Sequence, residues 1–179
     1  MPSEIAIEYR NRVRSVLDAL GISPELITAR SLVLHEEAMD LVTAEITEKG
    51  RKHCLVPAAA TAWHAMKAAA SSDGITLQIV SAFRSVDHQA EIIRRKLRAG
   101  LSLQQILAVN APPGFSEHHC GRAIDITTTG ARPLEHEFDG TPAFQWLSQR
   151  ASSFVFTLSY PLNNRQGYLY EPWHWCHRA

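Results

Sequence analysis

Cysteine is scarce: three residues in a chain of 179, an odd number that makes no disulfide framework. Excess charge is missing as well. Eighteen Lys and Arg balance eighteen Asp and Glu, and the cations are scattered, so there is no concentrated basic surface for nucleic acid or an anionic membrane. No apolar run approaches the roughly 20 residues of a membrane span. The stretch from Met1 to Gly21 interleaves charged and apolar side chains, so it lacks the apolar core of a signal peptide. The expectation is a cytoplasmic protein, or a periplasmic or cell-wall one if an export segment has been removed. Internal repeats and low-complexity tracts are absent too. What remains is an ordinary globular composition, 45% hydrophobic and 20% charged, at a length that suits a single domain over 1–179.

Hydrophobic spacing divides the chain. Ile5, Val13, Val16, Leu17 and Leu20 share a helical face that Gly21 ends. Ser23-Pro24 opens a short second helix. Leu34, Ala38, Leu41, Val42 and Ile46 form a stripe that predicts a third helix over 32–48, making residues 1–50 a helical extension. From there, Pro57 opens an alanine-rich helix that closes near Gly74. Strands are expected over 75–83, 123–128, 154–160 and 168–175. Helices are expected over 86–98, capped by Ser85, over 102–108, and from Thr141-Pro142. The irregular order of strands and helices predicts an α+β fold, with helices packed on a central, mainly antiparallel sheet.

Two stretches carry chemistry. Gly114–Asp125 reads GFSEHHCGRAID, and the chain nears its end with Glu171-Pro172-Trp173-His174-Trp175. His118, Asp125 and His174 make a three-ligand set, the number that catalytic zinc sites use while keeping a fourth position for water. Positions seven apart face opposite ways in a strand, so His118 and Asp125 meet only if the chain turns between them, and Gly121 permits that turn. Pro172 serves similarly between Glu171 and His174. Spacing alone leaves the metal reading beside an ordinary one, because His and Asp are common on surfaces.

SEHHCGRAID followed by EPWHW resembles the signature of the zinc D-alanyl-D-alanine carboxypeptidases of the VanY type. That group also takes in the D,D-dipeptidases of vancomycin resistance and the hedgehog domain. The pattern Ser-x-His-x-x-Gly-x-Ala-x-Asp, then Glu-x-x-His, is met at Ser116, His118, Gly121, Ala123, Asp125, Glu171 and His174. SAFRSVDHQ, residues 81–89, resembles the Ser-Gly-Tyr-Arg-Ser segment of the family. The resemblance runs from about residue 55 to the end, which makes 51–179 the catalytic region. It implies Zn²⁺ held by His118, Asp125 and His174, with Glu171 as general base. Arg84 would stabilise the oxyanion or clamp the substrate, and Arg84, Gln89 and Ser116 would hold its terminal carboxylate. The implied substrate is a peptidoglycan stem peptide ending in D-alanine. A D,D-dipeptidase, an L,D-carboxypeptidase or a cross-link endopeptidase would use the same residues. A zinc-stabilised binding module without turnover is a reading of another class, against which the intact Glu171 and Arg84 speak.

Each role has an ordinary rival. Arg84 would serve as a surface ion-pair partner, Gln89 as a helix former, Ser116 as a turn cap, and Glu171 as a partner of a metal-bound imidazole. His119, His136 and His177 read as solvated or hydrogen-bonded. His53 and His64 fall in stretches read as helical, and Asp87 and His88 as helix N-terminal residues. Of Trp173 and Trp175, at least one is expected in the core and the other as a wall of the pocket. Two positions depart from the family: Cys176 stands where an arginine is usual, and Val155 where a glycine is. Cys120 and Cys176, each two residues beyond a histidine of the set, are expected to be neighbours, either as a disulfide or as two small buried hydrophobes.

Overall fold

The computed structural model describes residues 4–178. Helix α1 (Glu4–Ala19) is followed by α2 (Pro24–Ala29), where the Ser23 hydroxyl accepts from the Leu26 N–H at 3.4 Å and Pro24 fills the first turn. A hairpin of β1 (Val42–Ile46) and β2 (Lys52–Leu55) comes next. Then follow α3 (Pro57–Ser72), β3 (Gln78–Ser81), α4 (Val86–Arg98) and α5 (Leu103–Val109). A 3-10 turn over Glu117–Cys120 leads into β4 (Ala123–Thr127), and α6 (Pro142–Arg150), β5 (Phe156–Leu158) and β6 (His174–His177) complete the order. Strands β3 to β6 form one antiparallel sheet in the order β3-β4-β6-β5, and the fold is α+β as the sequence predicts. No helix among the described residues is long and apolar enough to cross a membrane.

Two apolar cores flank the functional stretch. One joins the sheet to α3 and α6 through Trp63, Met66, Ile124, Ile126, Phe156 and Trp175; the other joins α1, α4 and α5 through Val13, Leu17, Val86, Ile93 and Ile106. A fully buried side chain of this size stabilises by roughly 1.5–3 kcal/mol, so the two cores anchor the elements on either side of that stretch. Strand β4 is buried along its whole length, and its register sets the site: Asp125 stands across from His174 on β6 and from Ser81 on β3.

The expected helix over 32–48 is not formed. Residues 32–41 run without regular structure, and Val42–Ile46 is strand β1. The apolar stripe is real but serves a different backbone. The His35 N–H donates to the Gly114 carbonyl at 2.8 Å and the Ala38 N–H to the His119 carbonyl at 2.8 Å, so the segment lies along the functional stretch. The β-branched Val42, Thr43 and Ile46 suit the hairpin. The N-terminal extension is therefore helical only in α1 and α2. His53 belongs to β2 and is buried, not helical. The C-terminal strands are shorter than expected. A 3-10 turn covers Ala151–Phe154, and Val155 takes φ +60, so β5 begins at Phe156. Residues 168–173 are irregular, because the Asn164 side chain ties off both the N–H and the carbonyl of Tyr168 at 3.1 and 2.8 Å.

Candidate metal and catalytic site

The Ser116 hydroxyl starts the 3-10 turn by accepting from the His118 N–H at 3.4 Å, and Gly121 ends it at φ +66 with its own N–H on the His118 carbonyl at 3.3 Å. A left-handed residue there reverses the chain within three positions, which a side-chain-bearing residue resists. His118 is thereby brought over β4, its Nε2 3.2 Å from Asp125 Oδ2. The β4–β6 ladder supplies the third group, with His174 Nδ1 2.9 Å from Asp125 Oδ1. All three side chains are buried, and their ligand atoms lie within 4.8 Å of one another. The 3.2 and 2.9 Å separations run to the two different oxygens of Asp125, so the carboxylate bridges the two imidazoles, and the cluster gathers the three protein donors that a catalytic zinc takes. Two imidazoles and one carboxylate are also the chemistry zinc accepts.

The charges follow from this crowding. Burial opposes a charge on His174, but hydrogen bonds with Asp125 and Glu117 outweigh it and raise its pKa to about 10. Burial pushes Asp125 upward, yet the two imidazoles hold its carboxyl well below the usual carboxylate range. His118 is lowered by burial, the Asp125 charge only partly offsetting it. In the protein alone, a proton on His174 balances the buried carboxylates; a divalent cation would take over that role and release the proton.

Glu171 approaches from the irregular segment before β6. Its N–H donates to the Tyr160 carbonyl at 3.1 Å, and the His174 N–H returns to the Glu171 carbonyl at 3.1 Å, closing a turn over Pro172-Trp173. This puts Glu171 Oε2 3.9 Å from His174 Nδ1. Burial, reinforced by the Asp125 charge and opposed by His174 and Arg84, raises its carboxyl to about 7. A carboxyl near 7 is poised to take and return a proton at neutral pH.

Arg84 lies on the other side of Asp125, Nη2 3.8 Å from Oδ2. Its Nη2 donates to Ser81 Oγ at 2.7 Å and its Nη1 to Gln89 Oε1 at 2.9 Å. Gln89 is buried and its amide nitrogen donates to the Ala111 carbonyl at 2.7 Å, so it stands behind Arg84. Ser116, Arg84, Glu171 and the three candidate ligands open on a cleft of about 600 Å³. Trp173 walls this cleft and stacks on His136, ring centroids 5.7 Å apart, while Trp175 is buried in the core.

His119 is buried and hydrogen-bonded: one ring nitrogen contacts the Arg84 carbonyl at 2.5 Å and the other accepts from the Gly114 N–H at 3.0 Å. Cys120 and Cys176 are neighbours, the Cys120 thiol donating to the Glu117 carbonyl at 2.9 Å and the Cys176 thiol to the His177 carbonyl at 3.7 Å; all three cysteines are free. Missed in the sequence are Glu117, Ser159 and Arg178, which cluster behind His174. Glu117 occupies a variable position of the Ser-x-His pattern; its place beside His118 was the one available signal.

The VanY family, described as D-alanyl-D-alanine carboxypeptidase, matches residues 52–179. The putative carboxypeptidase YodJ of Bacillus subtilis is 34% identical over 188 residues, covering 96% of this chain and 68% of its own. Among solved structures, the LD-carboxypeptidase LdcB, described for its peptidoglycan recognition, superposes with a TM-score of 0.70 at 31% identity, over 80% of this chain and 70% of that one. A variant of the vancomycin-resistance D,D-pentapeptidase VanY, solved with Zn(II), shares the fold at a TM-score of 0.61 and 24% identity, over 83% and 88% of the two chains.

Proposed function

We propose a function that follows from kinship: the chain belongs to the VanY family of D-alanyl-D-alanine carboxypeptidases and is a hydrolytic enzyme of that metallopeptidase type. Residues 51–179 are its catalytic part, and it removes the terminal D-alanine from peptidoglycan stem peptides. The observation that carries this reading is the convergence of His118, Asp125 and His174 with Glu171 beside them, its carboxyl held near 7. Zinc is the fitting ion, given the donor set and the Zn(II) found in the VanY D,D-pentapeptidase. When bound it would supply Lewis acidity and bring the pKa of water down to about 7.

The chain's own residues do the rest. Arg84, a permanently charged planar fork, binds the terminal carboxylate of the substrate, with Gln89 and Ser81 aiming it from behind. Ser116, which lines the same cleft, offers its hydroxyl to that carboxylate. Glu171 takes the proton of the attacking water as oxygen adds to the penultimate carbonyl carbon. It returns that proton to the amine as the C–N bond breaks, so a free D-alanine leaves and the stem is one residue shorter.

An L,D-carboxypeptidase is the second reading, favoured by the likeness to LdcB at 31% identity. Mass spectrometry of products from defined muropeptides, with and without zinc, separates the two. Release of one D-alanine from a D-Ala-D-Ala terminus, abolished by chelation and by Glu171→Ala, is expected. Release only from an L,D-linked terminus would favour the second reading, and full activity of Glu171→Ala would refute both.

A further inference from the structure

Both ring nitrogens of His174 are engaged, on opposite sides. Nδ1 faces Asp125 Oδ1 at 2.9 Å, on the side of Glu171; Nε2 faces Glu117 Oε2 at 3.1 Å. Glu117 is itself gripped. Ser159 Oγ donates to its Oε2 at 2.5 Å, and Arg178 Nη1 pairs with its Oε1 at 2.9 Å. Arg178 Nη2 also donates to Ser159 Oγ at 3.0 Å, and its Nε to Thr157 Oγ1 at 3.0 Å. Thr157 and Ser159 belong to β5 and its end, and Arg178 directly follows β6, so the edge of the sheet fixes a carboxylate carried by the functional stretch.

We propose that Glu117 is the positioning carboxylate of the site: when a divalent cation displaces the extra proton of His174, Glu117 keeps the remaining N–H on Nε2, so that the Nδ1 lone pair is offered to the cation beside Asp125, and so sets how tightly the site binds it. This rests on the metal reading of His118, Asp125 and His174. An ionised carboxylate only accepts hydrogen bonds, so the nitrogen facing Glu117 carries the hydrogen. A neutral imidazole has one N–H, which leaves the lone pair on Nδ1, the form a metal needs. Arg178 holds the Glu117 charge in place and occupies the oxygen that does not face His174, so the carboxylate is kept behind the imidazole instead of turning toward the cation.

No such brace stands behind His118, whose Nδ1 is buried without a hydrogen-bond partner among the described residues. His118 takes its orientation from the Ser116-to-Gly121 turn. The two imidazoles both meet Asp125, but only His174 has a second carboxylate on its far nitrogen. The rival account is that the Glu117–Arg178 pair merely staples the last strand to the turn.

The test measures zinc affinity by competition with a chromophoric chelator, for wild type, Glu117→Gln and Arg178→Met, together with the melting temperature of each metal-free protein. The His174 tautomer in the zinc-loaded proteins is read by long-range proton–nitrogen correlation. Glu117→Gln is expected to weaken zinc by about 10–100-fold, the range found when such outer carboxylates are removed, and to blur the single Nε2–H pattern. Arg178→Met, which cuts the staple and keeps the carboxylate, should lower the metal-free melting temperature more than it changes affinity. Should Glu117→Gln fail to fold, Ser159→Ala, which frees one side of Oε2, must weaken zinc measurably. Zinc affinity equal to wild type in whichever of these two variants folds overturns the inference, whatever happens to melting. Wild-type protein that binds no zinc would overturn the metal reading first, and this inference with it.

Discussion

Gln89 has both ends of its amide occupied, the oxygen by Arg84 Nη1 at 2.9 Å and the nitrogen by the Ala111 carbonyl at 2.7 Å. A buried amide used in this way aims its partner. Gln89→Leu would leave Arg84 Nη1 and the Ala111 carbonyl unpaired, at about 1–3 kcal/mol for each buried group. KM for a D-Ala-terminated peptide is expected to rise by about tenfold with a smaller change in kcat, since a carboxylate clamp acts in the ground state and the transition state alike. Steady-state kinetics check this; kcat and kcat/KM falling together would mean that Arg84 acts only in the transition state.

Glu171 combines burial with a carboxyl raised to about 7 and stands beside the candidate ligands without being one of them. Glu171→Gln should therefore keep its zinc, measured as metal per chain, while kcat falls on the order of 10²–10⁴. A general base works when deprotonated, so kcat/KM should rise with pH along an acidic limb. A dication near Glu171 favours its charged form, so the limb lies at about 7 or below. The limb should vanish in the variant, and its persistence there would assign it to another group.

The ligand types and their order were legible in the sequence because so few residues bind zinc or relay a proton. Gly121 was legible as well, since two groups seven apart cannot meet along a straight strand. The path of residues 32–48 was not. A stripe of Leu34, Ala38 and Leu41 tells which side chains are covered, but a helix and an irregular segment laid over glycine backbone cover the same ones. The bracing cluster was hidden for a different reason. Glu117 and Arg178 are 61 residues apart, and they meet only because β6 pairs with β4 in the register that sets Ala123 against Cys176. Register is a tertiary property, and β4 is buried on both faces, so no alternation of apolar and polar residues marks it.

Gly121 tests the turn directly. A Cβ there would come 3.0 Å from Ala38 Cβ, 3.0 Å from Leu41 Cδ2 and 3.1 Å from Val56 Cγ1, on a backbone with φ +66. The left-handed conformation costs a residue with a side chain roughly 1–2 kcal/mol, and overpacking adds about 1–3 kcal/mol. Gly121→Ala is expected to lower the unfolding free energy, read from urea titration, by an amount in that combined range and to weaken zinc, because His118 is aimed by this turn. An unchanged midpoint would show that the turn accepts a Cβ without strain, and that glycine is not what aims His118.

The proton on His174 should make the metal-free protein less stable as pH rises. An imidazole with an unfolded pKa of about 6.5 is raised by its carboxylate partners to about 10 in the fold. A group raised in this way contributes its full stabilisation below about pH 6.5 and loses it as pH climbs toward 10. Asp125 is depressed, so its contribution is lost at the other end, below the ordinary carboxylate range near pH 4. The urea midpoint of chelator-treated protein should therefore fall from pH 7 to pH 10. Zinc, which needs His174 neutral, should remove that decline when bound. Other groups titrate in the same range, so His174→Gln serves as the reference, and its metal-free midpoint should vary less over the interval. Equal slopes for wild type and His174→Gln would show that His174 holds no extra proton in the folded state.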